Sequence, residues 1–171
     1  MGKARNISFC AILTALALAL SYMERFIPLQ LVIPLPGLKL GLANIVTLTA
    51  LFLLKYRYAF AILVIRCVLG AVFGGGITGL AFSLSGGLLA LSVMIIGKKA
   101  RGFSVYGISM MGAAAHNIGQ ILTAMVLMNS VYVGAYLPWL LLVGIATGLL
   151  TGGVCAGVLR VLSKVQSGGK A

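Results

Sequence analysis

The stretch Pro36-Gly37-Leu38-Lys39-Leu40-Gly41-Leu42-Ala43-Asn44 sets a helix-stopping Pro-Gly directly before an apolar run with a lysine near its start and an asparagine inside it. In a soluble protein this would be an ordinary turn leading into a helix. Here the flanking segments are long and apolar enough to cross a bilayer, and that changes what each polar residue costs. A lysine and an asparagine at membrane depth need partners. The function is sought by asking what those partners are.

Composition fixes the class. Of 171 residues, 61% are hydrophobic, and Glu24 is the single acidic residue against 13 lysines and arginines. A soluble domain needs far more charge to stay dispersed. With a mean hydropathy of +1.17, the chain is all-α and polytopic. Its long unbroken apolar runs exclude a barrel, whose strands alternate polar and apolar residues over short spans. The net charge of +12 does not mark a nucleic-acid partner, because the basic residues sit in short loops between apolar spans. Cys10, Cys67 and Cys155 each fall within an apolar span, lack metal-ligand spacing, and read as small buried hydrophobes. The segment from Ile7 to Tyr22 is long for a signal peptide, and Ala15-Leu16-Ala17 lies inside it, so it reads as an uncleaved first helix.

Six spans are expected in one domain covering residues 1–171: Ile7 to Met23, Leu38 to Leu54, Tyr58 to Phe73, Ile77 to Ile96, Val105 to Met128 and Tyr136 to Leu162. Each is near the ~20 residues a bilayer core requires. Lys3, Arg5, Lys55, Arg57, Lys98, Lys99, Arg101, Arg160, Lys164 and Lys170 fall on one side, ten of the thirteen basic residues, which makes both termini cytoplasmic in a multi-pass cell-membrane protein. Arg25 and Lys39 flank the outer connection. Arg66 lies mid-span, and at ~1.5 Å per residue it sits near the bilayer midplane. Topology does not explain a midplane arginine, and its cost demands an anionic or polar partner.

The outer connection, residues 24–37, holds Pro28, Pro34 and Pro36 and apolar residues such as Phe26 and Leu31. A lid and an interfacial loop are both open readings. Gly74-Gly75-Gly76 and Gly86-Gly87 are expected either to interrupt helices beside a cavity or to permit close packing. Span five carries His116-Asn117-Ile118-Gly119-Gln120, in which His116 and Gln120 stack on one face with Asn117 beside them. With Asn44 and Arg66, three spans place hydrogen-bonding groups in one slab of membrane. As a set, Glu24, Lys39, Asn44, Arg66, His116, Asn117 and Gln120 are the expected ligand-binding residues, for a small anionic or acceptor-rich molecule entering from outside. One glutamate cannot hold Mg²⁺ for diphosphate chemistry, a lone histidine makes a poor hydrolytic dyad, and no Walker-type loop is present. No enzyme, cofactor or metal is therefore expected, and active transport would need an outside energy source. Ala11, Ala15 and Ala19 recur every four residues and offer a smooth face to another helix.

Pro36-Gly37-x-Lys39-x-Gly41-x-x-Asn44, Arg66, Ser85-Gly86-Gly87 and His116-Asn117-x-Gly119-Gln120 together resemble the Gx transporter family, also labelled heptaprenyl diphosphate synthase component I. The plan is more distantly similar to the substrate-binding S components of energy-coupling-factor transporters. That resemblance implies six spans with cytoplasmic termini and a capping loop after the first helix. It also implies an alanine face, matched by Ala11, Ala15 and Ala19, that docks on a coupling subunit served by separate ATPases. The implied cargo is a vitamin-, flavin-, quinone- or isoprenoid-precursor-like molecule. The synthase label implies instead a membrane accessory subunit of a prenyl diphosphate or quinone-forming system.

Overall fold

The computed structural model describes residues 3–26, 39–100 and 102–168. All regular structure among them is helical: α1 (Lys3–Met23), α2 (Asn44–Leu53), α3 (Tyr56–Gly70), α4 (Gly76–Lys99), α5 (Val105–Leu127) and α6 (Leu137–Gly168). From residue 27 onward the expected lid lies outside the described residues, as do Pro36 and Gly37.

Four apolar stretches are long enough to cross a membrane: Ala4–Met23, Tyr56–Lys99, Val105–Leu127 and Val131–Lys164. The second has 44 residues. As a straight rod it would reach roughly 66 Å, about twice a hydrocarbon core. It folds back instead. Phe73 (φ −80°, ψ 32°) and Gly74 (φ 101°, ψ 10°) leave helical geometry, so α3 returns as α4 and the two pack together. Gly74 supplies a left-handed backbone that a side chain would resist.

The second expected span is corrected. Its helix begins at Asn44, not Leu38, and has 10 residues. Lys39 to Gly41 are not helical, and Gly41 has φ 82°. A helix of that length rises only ~15 Å. The bundle surrounds it: α2 packs on α1, α3, α4 and α6, and Val46, Leu48, Ala50 and Leu51 are buried. Burial in protein is what allows a short helix and an irregular backbone at membrane depth. By contrast Ile12, Leu16, Ile77 and Leu142 are exposed, as side chains facing lipid tails should be.

Of the two readings of Gly86 and Gly87, close packing is the one the structure shows, since α4 runs unbroken through both. These are contact points. A Cβ on Gly119 of α5 would stand 2.8 Å from the Gly86 Cα, and one on Gly87 would stand 2.5 Å from a Leu63 methyl. The small residues draw α4 against α5 and α3. Ser104 caps α5 by accepting the Gly107 N–H at 3.1 Å.

Candidate functional site

The start of α2 is the hub. Arg66, on α3, is 5% exposed. Its Nη1 donates to the Ser21 hydroxyl at 3.3 Å, and its Nη2 donates to the Asn44 side-chain oxygen at 3.2 Å. Both acceptors are neutral. Among the described residues the Nε–H is buried without a hydrogen-bond partner. A guanidinium has five donors, and leaving one unmatched in a buried place is costly.

Lys39 approaches the same space from the irregular segment before α2, and its ammonium donates to the Ser83 hydroxyl of α4 at 2.7 Å. Its backbone is held from α5. With the amide oriented to suit its neighbours, Gln120 donates to the Lys39 carbonyl at 3.0 Å. The Gln120 oxygen accepts from the Lys39 N–H and from His116 Nε2, each at 3.2 Å. A side chain thus serves the backbone that no helix or strand serves. His116 packs into a notch made by two glycines: a Cβ on Gly41 would lie 3.0 Å from its ring, and one on Gly86 would lie 2.8 Å from its Nδ1.

Glu24 closes the top of α1 onto the start of α2. Its carboxylate accepts the Leu42 N–H, a placement that the N-terminal end of a helix favours. Burial pushes the carboxyl above its ordinary range, while the Leu42 amide and the charges of Arg66 and Lys39 pull it back. Arg66 and Lys39 face the only carboxylate in the chain, so the local balance is positive.

A cavity of about 550 Å³ opens beside these groups. Ser21, Lys39, Arg66 and Ser83 form its polar wall; Leu18, Ala19, Cys67 and Phe73 contribute to its apolar wall. That volume suits a small organic ligand. The two cations and two hydroxyls on one wall suit a compact oxyanion or an acceptor-rich group.

The expected site residues therefore separate into layers. Lys39 and Arg66 line the cavity. Asn44 holds Arg66, and Glu24 anchors the turn beside it. His116 and Gln120 stand behind Lys39 and are not among the residues lining the cavity. Asn117 lies elsewhere: its amide donates to the Leu140 carbonyl of α6 at 2.5 Å. Ala15 and Ala19 border the cavity, while Ala11 and Ala15 border a groove between α1 and α3. The alanine row thus borders these two spaces. Sequence reasoning missed Ser21 and Ser83. Their only signal was a hydroxyl inside an apolar span, which they share with Ser85, Ser92 and Ser109.

The family model described as heptaprenyl diphosphate synthase component I matches residues 13–158. That range contains α2 to α5 whole, with Ser21, Glu24, Lys39, Arg66 and Gln120. No curated protein and no solved structure matches the chain.

Proposed function

The chain belongs to the heptaprenyl diphosphate synthase component I family, and from that premise we propose that it is the substrate-binding subunit of a membrane transporter. In this reading it takes a small anionic or acceptor-rich molecule from the outer side of the cell membrane. Separate coupling and ATP-hydrolysing subunits supply the energy. All six helices belong to the membrane domain, with both termini cytoplasmic, α2 as a protein-covered partial span and the bundle arranged like an S component. The observation that carries the reading is Arg66, a buried cation that lines a cavity and has, among the described residues, only neutral acceptors and an unmatched Nε–H. A guanidinium serving only as interhelical glue would not need to line a cavity.

The family description favours a second reading, a membrane accessory subunit of a prenyl diphosphate-forming system. The chain's single carboxylate cannot assemble the Mg²⁺ site of such chemistry, so on this reading catalysis belongs to a partner. One purification tests both. Small molecules released from detergent-purified wild-type protein and from Arg66→Leu are compared by mass spectrometry, and co-isolated proteins are identified alongside. A ligand present in the wild type and absent from Arg66→Leu, with ATPases co-isolating, is the expected result. Equal ligand content in a folded Arg66→Leu removes Arg66 from the site. Co-isolation of a soluble prenyltransferase in place of ATPases transfers the conclusion to the second reading.

A further inference from the structure

We propose that Glu24 sets the charge of the ligand: the site takes a monoanion, and Glu24, which shares Arg66 and Lys39 with it, turns away a second negative charge. This rests on the reading of the cavity as a ligand site, and it names the charge class of the ligand and the residue that selects it.

Among the described residues, three charged side chains meet at the short stretch from Lys39 to Asn44. Lys39 belongs to that stretch. Arg66 reaches it through the Asn44 side chain, and Glu24 through the Leu42 N–H. Arg66 and Lys39 are the only charged residues, among those described, that line the cavity. Glu24 is 5% exposed and is not part of that lining, yet the charges of both cations act on it. It is the only carboxylate in the chain, so no further acid is at hand to balance the pair.

The cavity thus borders two cations that share one carboxylate. A ligand with a single negative charge closes that balance. A second negative charge would leave water for a place whose cations already serve Glu24 and the first charge, and an unmatched buried charge is costly. A neutral ligand would leave the imbalance as it stands. The role belongs to the charge of Glu24 and not to its shape, because the Leu42 N–H needs only an oxygen, which a glutamine amide also supplies.

Glu24 and the ligand draw on the same cations, so each weakens the hold of the other, and this coupling is reciprocal. A bound anion favours the protonated form of Glu24, whose carboxyl burial already pushes above its ordinary range. Protonation removes the competing charge. Anion affinity therefore rises as pH falls through the titration of Glu24, and declines as pH rises through it. The other titratable groups around the two cations are Tyr22 of α1, Cys67 of α3 and His116 of α5. From α2 and α4 come the neutral Asn44 and Ser83. Phenols and thiols ordinarily titrate at higher pH, which leaves His116 to be told apart by mutation of Glu24.

Isothermal titration calorimetry of the full chain in a non-ionic detergent tests the proposal with three probes of one shape. Benzene-1,4-disulfonamide is neutral, 4-sulfamoylbenzenesulfonate is a monoanion and benzene-1,4-disulfonate is a dianion, and sulfonates keep their charge across the range used. The monoanion is expected to bind wild type about ten-fold tighter than either of the others. Glu24→Gln tightens the dianion by about ten-fold and the monoanion by less, so the preference disappears. In wild type the monoanion binds tighter at about pH 5.5 than at about pH 7.5, and in Glu24→Gln that slope vanishes. A slope that survives Glu24→Gln belongs to His116 and overturns the proposal. An unchanged order of probes in Glu24→Gln overturns it too. Should that variant fail to fold, a wild type that prefers the dianion, or whose monoanion affinity ignores pH, overturns it alone. In each of these cases loss of anion binding in Arg66→Gln leaves the site itself standing. Binding of neither anion, or anion binding indifferent to Arg66→Gln, overturns both this inference and the function on which it rests.

Discussion

Gln120→Met replaces the side chain that holds the Lys39 backbone with one of similar length and no amide. Gln120 is 0% exposed. It meets the Lys39 carbonyl at 3.0 Å and the Lys39 N–H and His116 Nε2 at 3.2 Å each. Each buried polar group left unmatched costs about 1–3 kcal/mol. Two backbone groups on Lys39 and the buried His116 Nε2–H lose their partner, but Lys39 is only partly buried, so water recovers some of the loss. The expected destabilisation is about 2–4 kcal/mol. Helix propensity does not offset it, because Gln and Met are nearly equal. The assay is reversible SDS unfolding of purified protein in mixed micelles, followed by circular dichroism, with ligand binding measured on the same preparation below the transition. Affinity should fall along with stability, because the Lys39 ammonium reaches Ser83 only while its backbone is held. A Gln120→Met protein within about 0.5 kcal/mol of wild type would refute the clamp, and one that is destabilised with unchanged affinity would refute its link to the site.

Two glycine substitutions should move stability in opposite directions. Gly119→Ala puts a methyl 2.8 Å from the Gly86 Cα and 2.9 Å from the Ser85 carbonyl oxygen. Backbone cannot step aside as a side chain does, so the variant should lose about 1–3 kcal/mol. Gly79→Ala meets nothing within 4 Å inside α4 and should gain about 0.5–1 kcal/mol; SDS unfolding midpoints check both. Lys98 donates to the Leu51 carbonyl at 2.6 Å, satisfying an end carbonyl of α2 that the helix leaves open. Lys98→Met should therefore cost about 1 kcal/mol, read in the same assay.

The long apolar segments of α1, α3, α4, α5 and α6 were legible because each carries its own hydrophobic signal, and the turn at Gly74 because adjacent glycines punctuate any helix. The short α2 was not. An apolar run from Leu38 reads as helix by hydropathy, and only the surrounding bundle decides that the backbone from Lys39 to Gly41 stays irregular. Among the polar residues, helical geometry was a partial guide. His116 and Gln120, four apart, do face one neighbour together. Asn117 is turned about 100° from His116, and that is enough to point it at α6. Spacing names a face, but not which neighbour the face meets.

The same contrast explains why the polar residues do not simply satisfy one another. Because α2 starts late, the Lys39 N–H and carbonyl become polar surface inside the bundle, and Gln120 is committed to them. Asn117 is committed to α6, and Asn44 has one side-chain oxygen to offer Arg66. The amides of three elements are thus used without saturating the guanidinium. A regular helix from Leu38 would have satisfied the Lys39 carbonyl internally, leaving only its N–H, as a first-turn donor, to Gln120. The irregular start of α2 thus helps to leave Arg66, a residue that lines the cavity, with only neutral acceptors among the described residues, and the proposed ligand site is built on that.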